Sequence, residues 1–254
     1  MKNKLLFDRV FENPDWKGAD AFPSSERWKQ EINRWLIYIK EKKQLNRYKP
    51  RLNARKAQRD EALAEIFSAY YMETIFGYEI IRWEEKTNGN RDVDFVANVN
   101  GSEIFCEVKS PGWESELSEE ERLSGRKDQP KYIQGEARWY TTWAAIRYAI
   151  EKSYPKFLPE KKNMVILCDD LIDSPLDNPD DQFDIDIALF NSEERIYDGK
   201  GCFVDRRFEN IGGVLFLNVR LSGEFERRHH LAVNQNSKKQ LSLDLQETAL
   251  RKVK

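Results

Sequence analysis

The sequence predicts an α/β fold: a mixed central sheet with helices on its flanks. Three observations carry that prediction. Two runs of alternating residues meet at Asn100-Gly101, the strongest short-range signal for a β-hairpin. A continuous apolar run, Met164 to Cys168, suits a buried central strand,. Between the hairpin and that run lies a long helical pattern, so strand, helix and strand form a crossover unit with parallel strands.

In chain order, residues 1–23 contain Pro14, Gly18 and Pro23 and read as an irregular arm. Ser24 and Ser25 are placed to cap a helix carrying Trp28, Ile32, Trp35, Leu36 and Ile39 at helical spacing,. The chain then turns basic, from Lys40 through Lys49, Arg51 and Arg55 to Arg59, with Tyr48 interleaved. Such a run either tracks a phosphate backbone or is a solvated face with a linker. A second helix is expected from about Ala54 to Phe76, with Gly77 at its C-cap,. Tyr78 to Trp83 reads as a short strand and Glu84 to Arg91 as a polar loop.

The hairpin comes next. Val93, Phe95, Ala97 and Val99 alternate with Asp94, Val96 and Asn98; beyond the turn, Ile104, Cys106 and Val108 alternate with Glu103, Phe105, Glu107 and Lys109. Glu107 and Lys109, two residues apart, share one strand face. Closing the hairpin brings Asp94 near them. Two carboxylates supply oxygen ligands suited to Mg²⁺, which takes one or two carboxylates and completes its shell with water and substrate phosphate. An adjacent lysine suits the orientation of a water or the neutralisation of phosphate charge. Metal-assisted hydrolysis of a phosphodiester fits this set.

Val93-Asp94, a spacer of a dozen residues and Glu107-Val108-Lys109 resemble the motif of the PD-(D/E)xK nuclease superfamily. The resemblance covers roughly residues 60–170 and implies a restriction endonuclease-like fold, with Asp94 and Glu107 as Mg²⁺ ligands and Lys109 as the catalytic lysine. Mn²⁺ is the natural substitute. Val93 stands where the family has its Pro. The family's upstream helical glutamate corresponds to Glu65, with Glu61 one turn earlier as its rival. A Gln, Lys or Tyr from the helix after Glu-x-Lys corresponds to Gln134, and Lys131 near the start of that helix is a candidate phosphate contact. The family also implies DNA as the substrate and a possible homodimer.

Residues 110–130 form a long charged loop, and Lys131 to about Ser153 a third helix. Eight aspartates between Asp169 and Asp186 read as a solvated acidic loop, since they lack the glycine and final glutamate of a calcium-binding EF-hand,. Ile185 to Phe190 is expected to be a short helix, Cys202 to Val204 a short strand and Val214 to Val219 an apolar strand. His229 and His230, adjacent on the chain, are poorly placed to bind one metal together. From Asn234 the chain reads as a polar tail. Within it Gln240, Leu241, Leu243 and Leu245 resemble the peptide with which bacterial repair and replication proteins dock on the β sliding clamp, a short-peptide mode of recognition; the same residues also fit a terminal amphipathic strand or helix packing on the domain.

The organisation expected is therefore an N-terminal arm and helical extension (1–53), a nuclease-like domain (54–233) and a C-terminal tail (234–254). A net charge of −2 over 254 residues argues against a non-specific nucleic-acid coat,. Three isolated cysteines and the absence of a signal-like apolar stretch point to the cytoplasm, with no membrane segment,. Two other readings stay open: a catalytically inactive nuclease-fold module that binds nucleic acid or a protein partner such as the clamp, and a hydrolase of a small phosphoester.

Overall fold

Asn100 and Gly101 adopt positive φ, 49° and 81°, the left-handed pair that a tight two-residue hairpin turn requires. They join β2 (Asp92–Val99) to β3 (Ser102–Lys109), with Val99 opposite Ser102 and Phe95 opposite Cys106. In this computed structural model, which describes residues 5–11, 26–54, 56–87, 91–110, 142–169, 179–192, 200–220 and 226–241, the hairpin is the seed of a six-stranded sheet. β1 (Glu79–Lys86) pairs antiparallel with β2, and β4 (Lys162–Asp169) and β5 (Gly213–Arg220) add in parallel beyond β3. β6 (Glu226–Val233) closes the row antiparallel, so spatial order follows chain order.

Four helices cover one face: α1 (Phe7–Val10), α2 (Glu26–Glu41), α3 (Leu45–Leu52) and α4 (Lys56–Thr74). Their buried residues, among them Ile32, Leu36, Tyr48, Ile66 and Phe67, form one core with Phe95, Ile104, Cys106, Met164 and Leu215 of the sheet. α5 (Thr142–Ser153) and α6 (Pro179–Phe190) cover the other face, where Ile146, Ile150, Ile185 and Leu189 pack on Phe105, Val165 and Phe216. Both parallel connections, β3 to β4 and β4 to β5, run through this layer. That follows from a uniform crossover hand in a sheet whose strands advance in one direction. The expected mixed α/β architecture is therefore present, and among the described residues no helix is long and apolar enough to cross a membrane.

Several expectations change. The basic stretch, open between a phosphate-tracking run and a solvated face with a linker, contains the helix α3, because Tyr48 and Leu52 on one side are fully buried while the basic residues occupy the rest. β1 extends to Lys86 with a register shift between Ile80 and Arg82, so the loop expected from Glu84 begins later. The second half of the acidic loop is helical: α6 begins at Pro179, a residue preorganised for a first helical position,. Cys202 to Val204 is not a strand. The Cys202 and Phe203 amides donate to the carbonyls of Ala188 and Leu189 at the end of α6, and Val204 turns back on Gly201; the apolar side chains there fill the core without joining a ladder.

The stretch after β6 is packed down as far as it is described. Asn234, Ser237 and Leu241 are buried, and Asn234 Nδ2 donates to Ile211 O at 2.9 Å. A Cβ on Gly213 would stand 2.8 Å from Leu241 Cδ1, and one on Gly212 would stand 2.9 Å from Lys239 O; the glycine pair gives this segment room to lie against the sheet. Leu243 and Leu245 lie outside the described residues. Leu241, one of the clamp-like leucines, is thus seated in the chain's own core. The Leu241→Ala variant is expected to lose about 2–4 kcal/mol of unfolding free energy in a denaturant titration, whereas a free tail would leave the midpoint unchanged.

Candidate active site

The site forms at the C-terminal end of β3, where the antiparallel hairpin meets the parallel strands. Ile104, Cys106 and Val108 face the helical core of α1–α4, and Phe105 faces the opposite layer. Strand alternation therefore puts Glu107 and Lys109 on the Phe105 side. Glu107 is fully buried. Its Oε1 pairs with Lys109 Nζ and also with Lys156 Nζ, the latter at 2.6 Å. Oε2 is buried with no hydrogen-bond partner among the described residues. A buried carboxylate oxygen left in that state is costly unless something else engages it.

Asp94 completes the arrangement. The regular pairing of β2 with β3 ends at Phe95 and Cys106, and beyond it the Val108 amide donates to Asp94 Oδ2 at 2.7 Å. Asp94 retains some exposure toward the cleft but is otherwise enclosed by protein. Burial, reinforced by the charges of Glu65 and Glu107, pushes its pKa well above the usual carboxylate range. Lys109 is shifted the other way from what its burial alone would give: Glu107, with help from Asp94 and Glu61, holds its ammonium above the ordinary value.

The cleft in front of these groups measures about 400 Å³. Opposite Asp94, its wall is made by α3 and α4. Glu61 and Glu65, one turn apart on α4, both line it,. Glu65 is buried and accepts two hydrogen bonds from Arg51, Nη1 to Oε2 at 2.7 Å and Nη2 to Oε1 at 2.6 Å. This fork-on-fork contact is the strong form of an ion pair and raises the Arg51 pKa. Glu61 is the exposed member, 3.9 Å from Arg51. Arg47 lies 3.6 Å from Glu65 and 3.1 Å from Glu84. Its guanidinium sits 4.8 Å from the centre of the buried Tyr48 ring. Glu84 has φ of 51°, a left-handed conformation unusual for a residue with a side chain, at the point where β1 reaches the cleft.

Of the residues singled out in the sequence, the structure brings Asp94, Lys109, Glu65 and Glu61 to one cleft, with Glu107 buried behind it and paired with Lys109. Arg51 also lines it, held by a carboxylate, whereas Lys49 on the same helix is not among its lining residues. Gln134, Lys131 and Arg55 lie outside the described residues. Lys156, Arg47, Glu84 and Asp92 were not chosen as site residues from the sequence. Lys156 follows α5 on a single 3₁₀ turn, 47 residues beyond Lys109, and no local pattern connects the two. His229 serves the fold, bonded through Nδ1 to Tyr71 Oη at 2.9 Å and packed edge-on against Phe76.

The donor set was weighed against a divalent cation. Among the described residues no three His, Cys, Asp or Glu side chains form a metal-binding group, so the acidic contribution is limited to Asp94 and Glu107. That suffices for Mg²⁺, which binds through one or two carboxylates and retains water. The unpartnered Glu107 Oε2 and the concentration of negative charge around Asp94 both fit a cation there.

No protein-family profile and no curated protein matches the chain. Among solved structures it is similar to Pyrococcus furiosus SfsA in complex with Ca²⁺, at 20% identity over 66% of this chain and 60% of that one. The TM-score is 0.27, too low for the likeness to carry an argument about fold or activity. The aligned part thus spans less than two thirds of SfsA.

The Arg51–Glu65 pair gives a direct test of how the wall is held. Replacing either residue with Ala is expected to cost about 1–3 kcal/mol. A double-mutant cycle should recover a coupling above about 1 kcal/mol; additive losses would show that the fork contributes nothing in solution.

Proposed function

We propose that the protein is a Mg²⁺-dependent deoxyribonuclease of restriction endonuclease-like fold, hydrolysing phosphodiester bonds in DNA. One observation carries the reading: Asp94 and Lys109 line one cleft, and Glu107, buried beside Lys109, pairs with it through Oε1 while its Oε2 has no hydrogen-bond partner among the described residues. They are the acid, acid and lysine of the motif, and a sheet carrying them on consecutive strands is the arrangement the resemblance implies.

The roles follow from the side chains. Asp94 and Glu107 would hold the divalent ion, whose contribution is Lewis-acid stabilisation of negative charge on the phosphate. Lys109, kept protonated by its carboxylate neighbours, donates hydrogen bonds to a phosphate oxygen or to the attacking water and so fixes its line of approach. Glu65 keeps Arg51 on the cleft wall, and Arg47 stands beside it. Both guanidiniums are available to backbone phosphates by exchange with their present carboxylates. Cleavage serving repair or defence against foreign DNA is consistent with this chemistry. A dimer would supply a second cut, and docking of the C-terminal peptide on a sliding clamp would require Leu241 to leave its seat.

The test is cleavage of linear, circular and single-stranded DNA with Mg²⁺ or Mn²⁺. Wild type is expected to cut only with metal. Glu107→Gln and Lys109→Ala are expected to lose at least about a hundredfold in rate while keeping wild-type far-ultraviolet circular dichroism. Metal-independent DNA binding retained by both variants, with no cutting by wild type on any substrate, would favour a catalytically silent binding module.

A further inference from the structure

The two ammoniums on Glu107 do not divide its two oxygens between them. Lys109 and Lys156 both approach Oε1, and Oε2 is left buried without a partner. A carboxylate offers about four lone-pair directions over its two oxygens, so doubling up on Oε1 leaves the lone pairs of Oε2 unused by either ammonium. We infer that Lys156 is a positioning residue: it is the standing counter-ion that keeps Glu107 neutralised and oriented through Oε1 while Lys109 turns from that carboxylate to the substrate. The inference rests on the nuclease reading above.

Glu107 has no exposed surface. Before a divalent ion engages Glu107, and with Lys109 as its sole partner, engagement of Lys109 with phosphate or water would strand a buried carboxylate, the most unfavourable state for an ion pair in a protein interior. Lys109 would then stay where it is. With Lys156 in place, Lys109 can leave and Glu107 remains paired.

The 3₁₀ turn has apolar anchors of its own besides the Lys156 ion pair. Tyr154 on that turn packs edge-on against Phe208 at 5.4 Å, Phe157 just after it is buried, and the Phe157 amide donates back to Tyr154 O. Those apolar contacts fix the backbone, and Lys156 projects from it to Glu107 and the cleft.

This role has a signature in which two readouts move in opposite directions. Removing Lys156 takes one positive charge from beside a cation site, so metal binding tightens; it also confines Lys109 to Glu107, so turnover slows. A lysine with only a structural role would lower both together.

The experiment uses the full chain as wild type, Lys156→Met, Lys156→Gln and Lys156→Arg. Mn²⁺ affinity is measured by calorimetry without DNA, alongside single-turnover cleavage, DNA affinity and the unfolding midpoint. Met and Gln are expected to bind Mn²⁺ about tenfold more tightly and to cleave about a hundredfold more slowly, with DNA affinity unchanged; Arg, which keeps the charge, returns both readouts toward wild type. Weaker Mn²⁺ binding in step with a lower midpoint, Mn²⁺ affinity equal to wild type, or a loss confined to DNA affinity would each overturn the inference while leaving a cleaving wild type as evidence for the nuclease reading. If wild type cuts no DNA but the Mn²⁺ shift and its reversal by Arg appear, the pairing of Lys156 with Glu107 stands and the nuclease reading falls. Wild type that takes up no Mn²⁺ overturns both.

Discussion

A carboxylate with no exposed surface, Glu107 in the middle layer of an α/β sandwich, sets the terms for much of the structure around it. Taking such a charge out of water is tolerable only with close, well-directed partners. Lys109 comes from the same strand two residues on, but Lys156 has to be delivered by a different element. The course of the chain through α5 and its 3₁₀ turn is therefore tied to β3 by electrostatics as well as by the apolar packing of Ile146 and Ile150 on Phe105 and Val165. Satisfying one buried acid joins the hairpin to the crossover unit at the place where the cleft opens.

The same logic operates on the other wall at lower cost. Glu65 is buried at the edge of the α1–α4 core and takes a guanidinium fork from α3, while Arg47 bridges from α3 toward both Glu65 and Glu84. Tyr48, between these two arginines in sequence, is buried in the core, so α3 presents its charge to the cleft and its ring to the interior. A short basic helix with few apolar residues has little intrinsic stability. It is held by that ring, by Leu52 and by ion pairs to α4, and this makes it part of the site's framework.

What could be read from the sequence divides along the range of the interactions. The hairpin was legible because Asn100-Gly101 is a local signal, and β4 and β5 because short apolar runs between turn residues are local as well. Asp94, Glu107 and Lys109 were legible because a hairpin converts sequence spacing directly into spatial proximity. α3 was hidden by its basic composition, since only Leu45, Tyr48 and Leu52 mark its buried side. Cys202 to Val204 has the composition of a strand but spends its amides on the end of α6. Lys156 and the seat of Leu241 depend on contacts with residues far away in sequence, and neither leaves a periodic trace. Proximity created by tertiary packing is invisible until the layers are assembled.

The assembled cleft bears on how a mildly acidic chain would take the polyanionic substrate proposed for it. Among the described residues, four cationic side chains, Arg47, Arg51, Lys109 and Lys156, line the cleft together with five carboxylates, Glu61, Glu65, Glu84, Asp92 and Asp94. The resting site is thus close to self-neutralised and projects no strong positive field of the kind that attracts nucleic acid indiscriminately. On the proposed nuclease reading, recognition of a phosphate there would proceed by exchange: a guanidinium or ammonium would give up a protein carboxylate for a phosphate oxygen, and the released carboxylate would face the site proposed for a divalent ion. Substrate and metal would then each remove a penalty that binding of the other creates, and their affinities are coupled for that reason. A site that is neutral at rest is in this way selective for the simultaneous presence of both.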